Sequence, residues 1–297
     1  MCKKEKTIYA LGFFDGVHLG HQALLQACRE LAQKNGCKAG VVTFTSHPDT
    51  LVLGQTPGLI NTTEDRKRLL LSMGMDTVIE LPFDKQLMTM PWQDFFRMLL
   101  ETYHAAGLVC GDDFRFGHKG EGNALLLKEA CRNEDLPCVI VPEQLVDGVR
   151  VSSTHIRRLL EQGDLETANR FLGHPHSLTG KVISGRGLGH TIGIPTANLL
   201  LPEQLVVPKL GVYACKAIVD CQEYLAVTNI GSRPTVGGHQ LRAESWLLDF
   251  EDDLYGKTLT LTFHKFLRAE KKFPDLEELR EEILKNAAQT RKLLENS

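Results

Sequence analysis

The sequence predicts an α/β domain built on a parallel sheet, followed by a small antiparallel β-barrel that ends in a helix. Three observations predict it. Up to residue 141, short apolar or β-branched runs alternate with helical patterns. After Gly173-His174-Pro175 the helical periodicity stops, and short strand-like runs separated by Gly, Pro and Asp replace it. From Asp275 onward an amphipathic helix returns. A chain of 297 residues accommodates two domains, at about 100–200 residues each. The expected boundary divides residues 1–172, including connector helices after 151, from residues 173–297.

In order, residues 7–11 read as a buried strand and residues 22–34 as a helix, with Leu24, Cys28 and Leu31 on one face. Residues 39–44 are a second strand. Residues 63–73 are helical, with Thr63 as N-cap and Leu69, Leu70 and Met73 facing inward. Strands follow at 77–81, 107–111 and 138–141, with a helix at 92–103 between the first two. Strands separated by helices imply βαβ units, and ligands then bind beyond the strand C-termini. The hydroxyls of Ser152, Ser153 and Thr154 start another helix. In the second half, strands are expected at 178–183, 211–219, 224–230, 243–250 and 257–263, without helices between them, which is barrel patterning. Asp275 and Glu278 form a capping-box pattern, and Leu276, Leu279, Ile283 and Ala287 form the expected buried stripe of the last helix.

Composition narrows the classes. A net charge of −3 and a pI near 6.4 argue against a general nucleic-acid binder. No run of about 18 apolar residues is present, so no membrane span is expected, and the charged opening residues do not read as a signal peptide. The eight cysteines are scattered without a Cys-x-x-Cys pair, as expected of reduced thiols in a cytoplasmic protein. Oligomeric state is not encoded in any of these features.

The chemistry concentrates first in Gly12-Phe13-Phe14-Asp15-Gly16-Val17-His18-Leu19-Gly20-His21, a glycine-rich turn between a strand end and a helix start. Gly12, Gly16 and Gly20 let the backbone approach a ligand, and a helix N-terminus offers free N–H groups to an anion. His18 and His21 can donate hydrogen bonds to phosphoryl oxygens. Their spacing also suits metal chelation, but only Asp15 lies close in sequence to extend a ligand set. A second phosphate cradle is Ser152-Ser153-Thr154-His155-Ile156-Arg157, which combines hydroxyls, helix-terminal N–H groups and a guanidinium. A third candidate runs from Gly185 through Gly187 and Gly189 to Pro195-Thr196-Ala197-Asn198. It is not a dinucleotide fingerprint, which would need a glycine at His190. Gly256-Lys257-Thr258 is not a P-loop either, because Glu251 stands where the leading glycine belongs.

These motifs carry a resemblance. Gly12 to His21 resembles the signature of cytidylyltransferase-like nucleotidyltransferases in the form used by bacterial FAD synthetases; Phe13 stands where that family more often has Asn or Thr. Phe44-Thr45-Ser46-His47-Pro48 resembles its Phe-x-Pro-His-Pro, with Ser46 in place of a proline. Gly111-Asp112-Asp113-Phe114-Arg115-Phe116-Gly117 resembles its pocket-shaping loop, and Ser152 to Arg157 its Ser-Ser-Thr-x-Ile-Arg. The stretch ending in Pro195-Thr196-Ala197-Asn198 resembles the riboflavin kinase motif. Glu244, Asp249-Phe250, Asp253-Leu254-Tyr255-Gly256, residues 229–235 and residues 268–273 fit the same family.

The resemblance, which covers nearly the whole chain, implies an α/β nucleotidyltransferase domain with a Rossmann-like sheet, then a riboflavin kinase barrel. It implies a bifunctional riboflavin kinase/FAD synthetase acting on ATP, riboflavin and FMN with Mg²⁺. It assigns His18, His21 and Arg157 to catalysis of adenylyl transfer and Glu244 to the base for the riboflavin hydroxyl. Gly12, Phe14, Asp15, Gly16, Gly20, Ser152, Ser153, Thr154, Gly185, Gly187 and Gly189 bind ATP or its phosphates. His47, Pro48, Asp113, Phe114, Phe116 and Arg268 bind flavin, and Thr196 and Asn198 hold the metal. Two alternatives stay open at this point. A chain with one working activity would accumulate FMN or make none, and a flavin-binding regulator would bind flavin without consuming ATP.

Overall fold

The fold was analysed in a computed structural model that describes residues 6–52, 54, 57–185, 188–235 and 238–295. The chain forms two compact units, one of Met1–Pro57 with Thr63–Ser153, the other of Gly58–Thr62 with Thr154–Ser297.

The first unit contains β1 (Thr7–Leu11), α1 (Leu19–Asn35), β2 (Lys38–Phe44), α2 (Thr63–Ser72), β3 (Thr77–Leu81), α3 (Trp92–Glu101), β4 (Ala105–Gly111), α4 (Ala124–Asn133) and β5 (Cys138–Val141), with shorter pieces between them. The five strands make one parallel sheet in the order β3-β2-β1-β4-β5. Every residue of β1 is buried, as both faces of a helix-covered parallel strand must be. Alternate side chains go to opposite cores. Tyr9 and Leu11 join Phe95, Leu99 and Leu127, whereas Ile8 and Ala10 join Leu24, Leu25, Cys28 and Leu70. The order reverses at β1, whose neighbours are β2 and β4, so the turn after β1 opens at the switch point of the sheet.

Helix α1 starts at Leu19, three residues before the periodic pattern suggests, because the His18 imidazole serves as its N-cap. Helix α4 had no expected counterpart in the sequence reading; Asn123 caps it through a bond accepted from the Leu126 N–H at 3.0 Å.

The second unit contains α5 (Ser153–Gln162, whose first residue belongs to the first unit), α6 (Leu165–Leu172), β6 (His176–Lys181), β7 (Ala197–Leu200), β8 (Gly211–Val219), β9 (Gln222–Thr235), β10 (Gly238–Leu247), β11 (Thr258–Ala269) and α7 (Leu276–Leu294). The strands form an antiparallel sheet in the order β6-β11-β8-β9-β10-β7. A bridge between Ile183 and Asn198 brings its ends together, so the sheet is nearly a closed barrel. Helices α5 and α6 group with this unit, whereas the sequence reading kept them with the first domain as a connector. The amide of Asn169 on α6 clips onto the barrel, donating to the Phe263 carbonyl at 2.8 Å and accepting from the His176 N–H at 2.8 Å.

Asp275 caps α7 as its sequence suggests, accepting from the Glu278 N–H at 2.9 Å. The buried stripe differs from the expected one. Leu276 is 46% exposed, and Asn286, Ala287, Thr290 and Leu294 are the buried residues. The first turn is exposed at Leu276, and burial begins a turn later with half-buried Leu279 and Ile283.

Candidate functional site

The first site is the turn after β1. Its backbone enters the left-handed region at Phe14 (φ 60°), Gly16 (φ 81°) and Val17 (φ 40°). That conformation is costly for a β-branched residue, and it is held by complete burial of Phe14 and Val17 and by the Gln22 amide, which donates to the Val17 carbonyl at 3.0 Å. The Phe14 ring belongs to the core, so only its backbone is available to a ligand.

The two histidines occupy the first turn of α1. The His21 N–H donates to His18 Nδ1 at 3.3 Å, so a neutral His18 carries its proton on Nε2. The rings stack at 3.6 Å with planes 11° apart. A Cβ on Gly20 would sit 3.2 Å from the His18 ring, so glycine gives the folded-back imidazole its room. His21 Nδ1 is buried and has no hydrogen-bond partner among the described residues. Burial, then His18, then the Arg66 cation hold the His21 pKa well below the usual 6.5, so this imidazole stays neutral at physiological pH.

Ser153 reaches the turn from 138 residues away, its hydroxyl donating to the Asp15 carbonyl at 2.9 Å. Thr154 and Arg157 continue the same helix within the second unit. His47 and Pro48 lie beyond the end of β2, where His47 Nδ1 accepts from the Asp49 N–H at 3.2 Å. In the loop after β4, Asp113 is exposed and pairs with Arg150 at 2.5 Å. Phe114 stacks on Phe116 at 5.4 Å, and Phe116 itself is buried in the core.

The second site is a cavity of about 320 Å³ inside the barrel unit. One cross-strand row runs through its wall: Asn198 of β7 pairs with Glu244 of β10, Glu244 with Asn229 of β9, Asn229 with Val212 of β8, and Val212 with Arg268 of β11. All five line the cavity. Arg268 Nε donates to Asn286 Oδ1 of α7 at 3.1 Å and lies 3.3 Å from the Glu282 carboxylate. Burial lowers the Arg268 pKa from its ordinary value. Thr196, Gly185 and Gly189 also line the cavity, with Gly185 and Thr196 beside Asn198, whereas Gly187 falls outside the described residues. A Cβ on Gly189 would stand 2.1 Å from the Ile194 carbonyl, so this turn requires glycine.

A family model described as FAD synthetase matches residues 2–155, and one described as Riboflavin kinase matches residues 172–294. A Listeria monocytogenes protein named "Bifunctional riboflavin kinase/FMN adenylyltransferase" is 35% identical, over 96% of this chain and 91% of its own. Proteins of the same name from Escherichia coli K12 and Bacillus subtilis are 36% and 34% identical, over 95% and 96% of this chain and 91% of each of theirs. This chain belongs to the bifunctional riboflavin kinase/FMN adenylyltransferase family.

A solved structure titled "Macrolide-efflux Protein from Streptococcus pneumoniae" superposes with a TM-score of 0.87 at 30% identity, covering 97% of this chain and 95% of that one. Among the described residues of the present family member, no helix is long and apolar enough to cross a membrane.

Within this bifunctional family member the structure gathers Gly12, Asp15, Gly16, His18, Gly20, His21 and Ser153 at one turn. In the other unit it gathers Gly185, Gly189, Thr196, Asn198, Glu244 and Arg268 around one cavity. Sequence reasoning gave Asn229 no role beyond its place in residues 229–235 and missed Asn286, both of which line the cavity, and it missed Arg66, which is buried. Arg66 did leave a signal: it precedes the inward-facing Leu70 by four residues, one helical turn on the same face.

Among the described residues, no group of three or more His, Cys, Asp and Glu could hold a metal ion. Asn198 nevertheless fits a magnesium ion. Its Oδ1 is buried and has no hydrogen-bond partner among the described residues, while its Nδ2 is turned to the Thr196 carbonyl at 3.3 Å. A neutral amide oxygen beside a threonine is a hard-donor set of the kind that supports an ion otherwise bound by substrate phosphates.

Proposed function

We propose that this protein phosphorylates riboflavin to FMN in its second unit and adenylylates FMN to FAD in its first. The observation that supports this reading is the presence in one chain of two distinct candidate sites, the stacked histidine turn and the Asn198–Glu244 row beside the cavity.

In the barrel, the cavity takes riboflavin, with Arg268 on the flavin side. Glu244 accepts the proton of the ribityl 5′-hydroxyl as its oxygen attacks the γ-phosphorus of ATP and ADP departs. Thr196 and Asn198 would hold Mg²⁺, which neutralises charge on the transferring phosphoryl group. Gly185, Gly187 and Gly189 form the loop that cradles the nucleotide phosphates.

In the first unit, an FMN phosphate oxygen attacks the α-phosphorus of ATP and pyrophosphate leaves. No covalent enzyme intermediate is required. His18 Nε2–H, the neutral His21, Ser153 and, by the family pattern, Arg157 stabilise the charge of the pentacoordinate state. His47, Pro48, Asp113 and Phe114 belong to the flavin side. Counting Thr154 and Arg157 with this chemistry makes residues 1–172 the adenylylation domain and residues 173–297 the kinase domain. Seven described cysteines are free, which supports a reducing, cytoplasmic setting.

The test is to incubate the protein with riboflavin and MgATP and separate the flavins over time. FMN appearing first and FAD later is the expected result. If neither forms, and added FMN is not converted either, the reading fails.

A further inference from the structure

We infer that Arg66 and Phe13 form one positioning unit for FMN adenylylation, with the buried guanidinium fixing the Phe13 ring and, through it, His47. The inference rests on the assignment of His47 to the flavin side made above.

Arg66 is 1% exposed. Its Nη2 donates to the Phe44 carbonyl at 2.5 Å, whereas Nε and Nη1 have no hydrogen-bond partner among the described residues. A cation buried with two unpaired donors costs stability, and a leucine or methionine at this inward-facing position would pack more cheaply. The structure shows what the charge does instead. The guanidinium carbon lies 4.3 Å over the face of the Phe13 ring, a cation–π contact strengthened by exclusion of water. Phe13 in turn meets His47 at 4.7 Å with the rings 74° apart.

The contacts therefore run from a buried cation to two half-buried rings at the ligand-facing edge of the sheet. Their backbone supports converge at that edge, because Phe44 ends β2 and the Thr43 hydroxyl donates to the Phe13 carbonyl at 2.9 Å. Asp15, Glu64 and Glu80 are the acids that offset the charge of Arg66, and burial outweighs them, lowering its pKa.

The experiment compares Arg66→Met, Arg66→Lys, Phe13→Leu and the Arg66→Met/Phe13→Leu double variant in the full chain. Steady-state FAD formation gives KM for FMN and for ATP; riboflavin phosphorylation and thermal unfolding report integrity. Arg66→Met and Phe13→Leu should each raise KM for FMN roughly three- to thirtyfold, with KM for ATP within about twofold. The double variant should be no worse than the worse single one, since the two residues act together. Arg66→Lys keeps the cation and should largely preserve KM for FMN.

The inference is overturned if KM for FMN stays within about twofold in both single variants, or rises in step with KM for ATP. It is also overturned by additive single effects, or by Arg66→Lys being as impaired as Arg66→Met. If Arg66→Met does not fold, Phe13→Leu and Arg66→Lys decide by the same criteria. If the unmodified protein makes no FAD, the adenylylation reading is what fails. FMN affinity from flavin-fluorescence quenching then decides the positioning role, which requires weaker binding in Phe13→Leu than in the parent.

Discussion

The two candidate sites are built in different ways. In the first unit most of the candidate residues lie on one turn of ten residues at the end of β1, shaped by left-handed backbone at Phe14, Gly16 and Val17 and by a histidine acting as helix cap, and Ser153 joins it from 138 residues away. In the second unit no two of Asn198, Glu244, Asn229 and Arg268 come from the same strand. A parallel sheet offers its ligand the loops beyond strand ends, so a short stretch of sequence can be a site. A barrel offers its wall, so a site there is a row of residues far apart in sequence. The first arrangement stores strain in the backbone; the second depends on register.

If the sites are as separate as this comparison holds, they can be broken one at a time. His21→Ala should lower FAD formation by at least about a hundredfold while riboflavin is still converted to FMN. Glu244→Gln should stop riboflavin phosphorylation while supplied FMN is still adenylylated. Chromatography of the flavins reads both, and a folded single variant that loses both activities would refute the separation.

The second unit should also carry an acid sensitivity of its own. His176 is buried with Nδ1 unpartnered among the described residues, and burial first, then His174, lowers its pKa from 6.5 to about 4. As pH falls through 6.5 the unfolded chain takes up a proton that the folded chain accepts only near 4. Stability contributed by neutral His176 is thus complete above pH 6.5 and falls between 6.5 and 4, by up to about 3 kcal/mol. Calorimetry at pH 7 and pH 5 should show a smaller loss on acidification in His176→Phe than in the parent protein.

A smaller effect sharpens the role of the barrel row. Asn198→Ala removes the unpartnered oxygen and should reduce riboflavin phosphorylation roughly ten- to hundredfold. The Mg²⁺ concentration for half-maximal rate should rise, and FMN adenylylation should not change. An unchanged Mg²⁺ dependence would remove Asn198 from the proposed metal set.

The smallest effect belongs to the surface. Arg291 reaches both carboxylate oxygens of Asp249 at 2.8 Å, but the two side chains are 39% and 73% exposed. Arg291→Ala should cost less than about 1 kcal/mol in thermal or denaturant unfolding. A larger loss would mean that the end of α7 holds the barrel more firmly than its exposure suggests.

What could be read without coordinates follows from the same contrast. The glycine turn was visible because its residues are adjacent, whereas the start of α1 at Leu19 was not, since an imidazole is an unusual cap. Asp65 and Arg66 belong to a charged run, Thr63 to Arg68, whose composition does not announce burial; both are buried in a helix that contacts the turn after β1 and strand β3. In the barrel, strand periodicity marked residues 211–219 to the residue, but the short strand Ala197–Leu200, which begins inside the motif ending at Asn198, was not among the expected strands.

By itself, the sequence determined the α/β-then-barrel order, the strand–turn–helix at His18 and His21, the cap at Asp275 and the family. These depend on local propensity and on residues close together in the chain, where a side chain and its partner are only a few bonds apart. Tertiary structure alone decided that Ser153 meets the Asp15 carbonyl, that Asn198, Glu244, Asn229, Val212 and Arg268 share one row, and that a guanidinium lies under Phe13. Those pairings depend on sheet order and register, which follow from burying apolar faces across the whole chain and are written in no single segment of it.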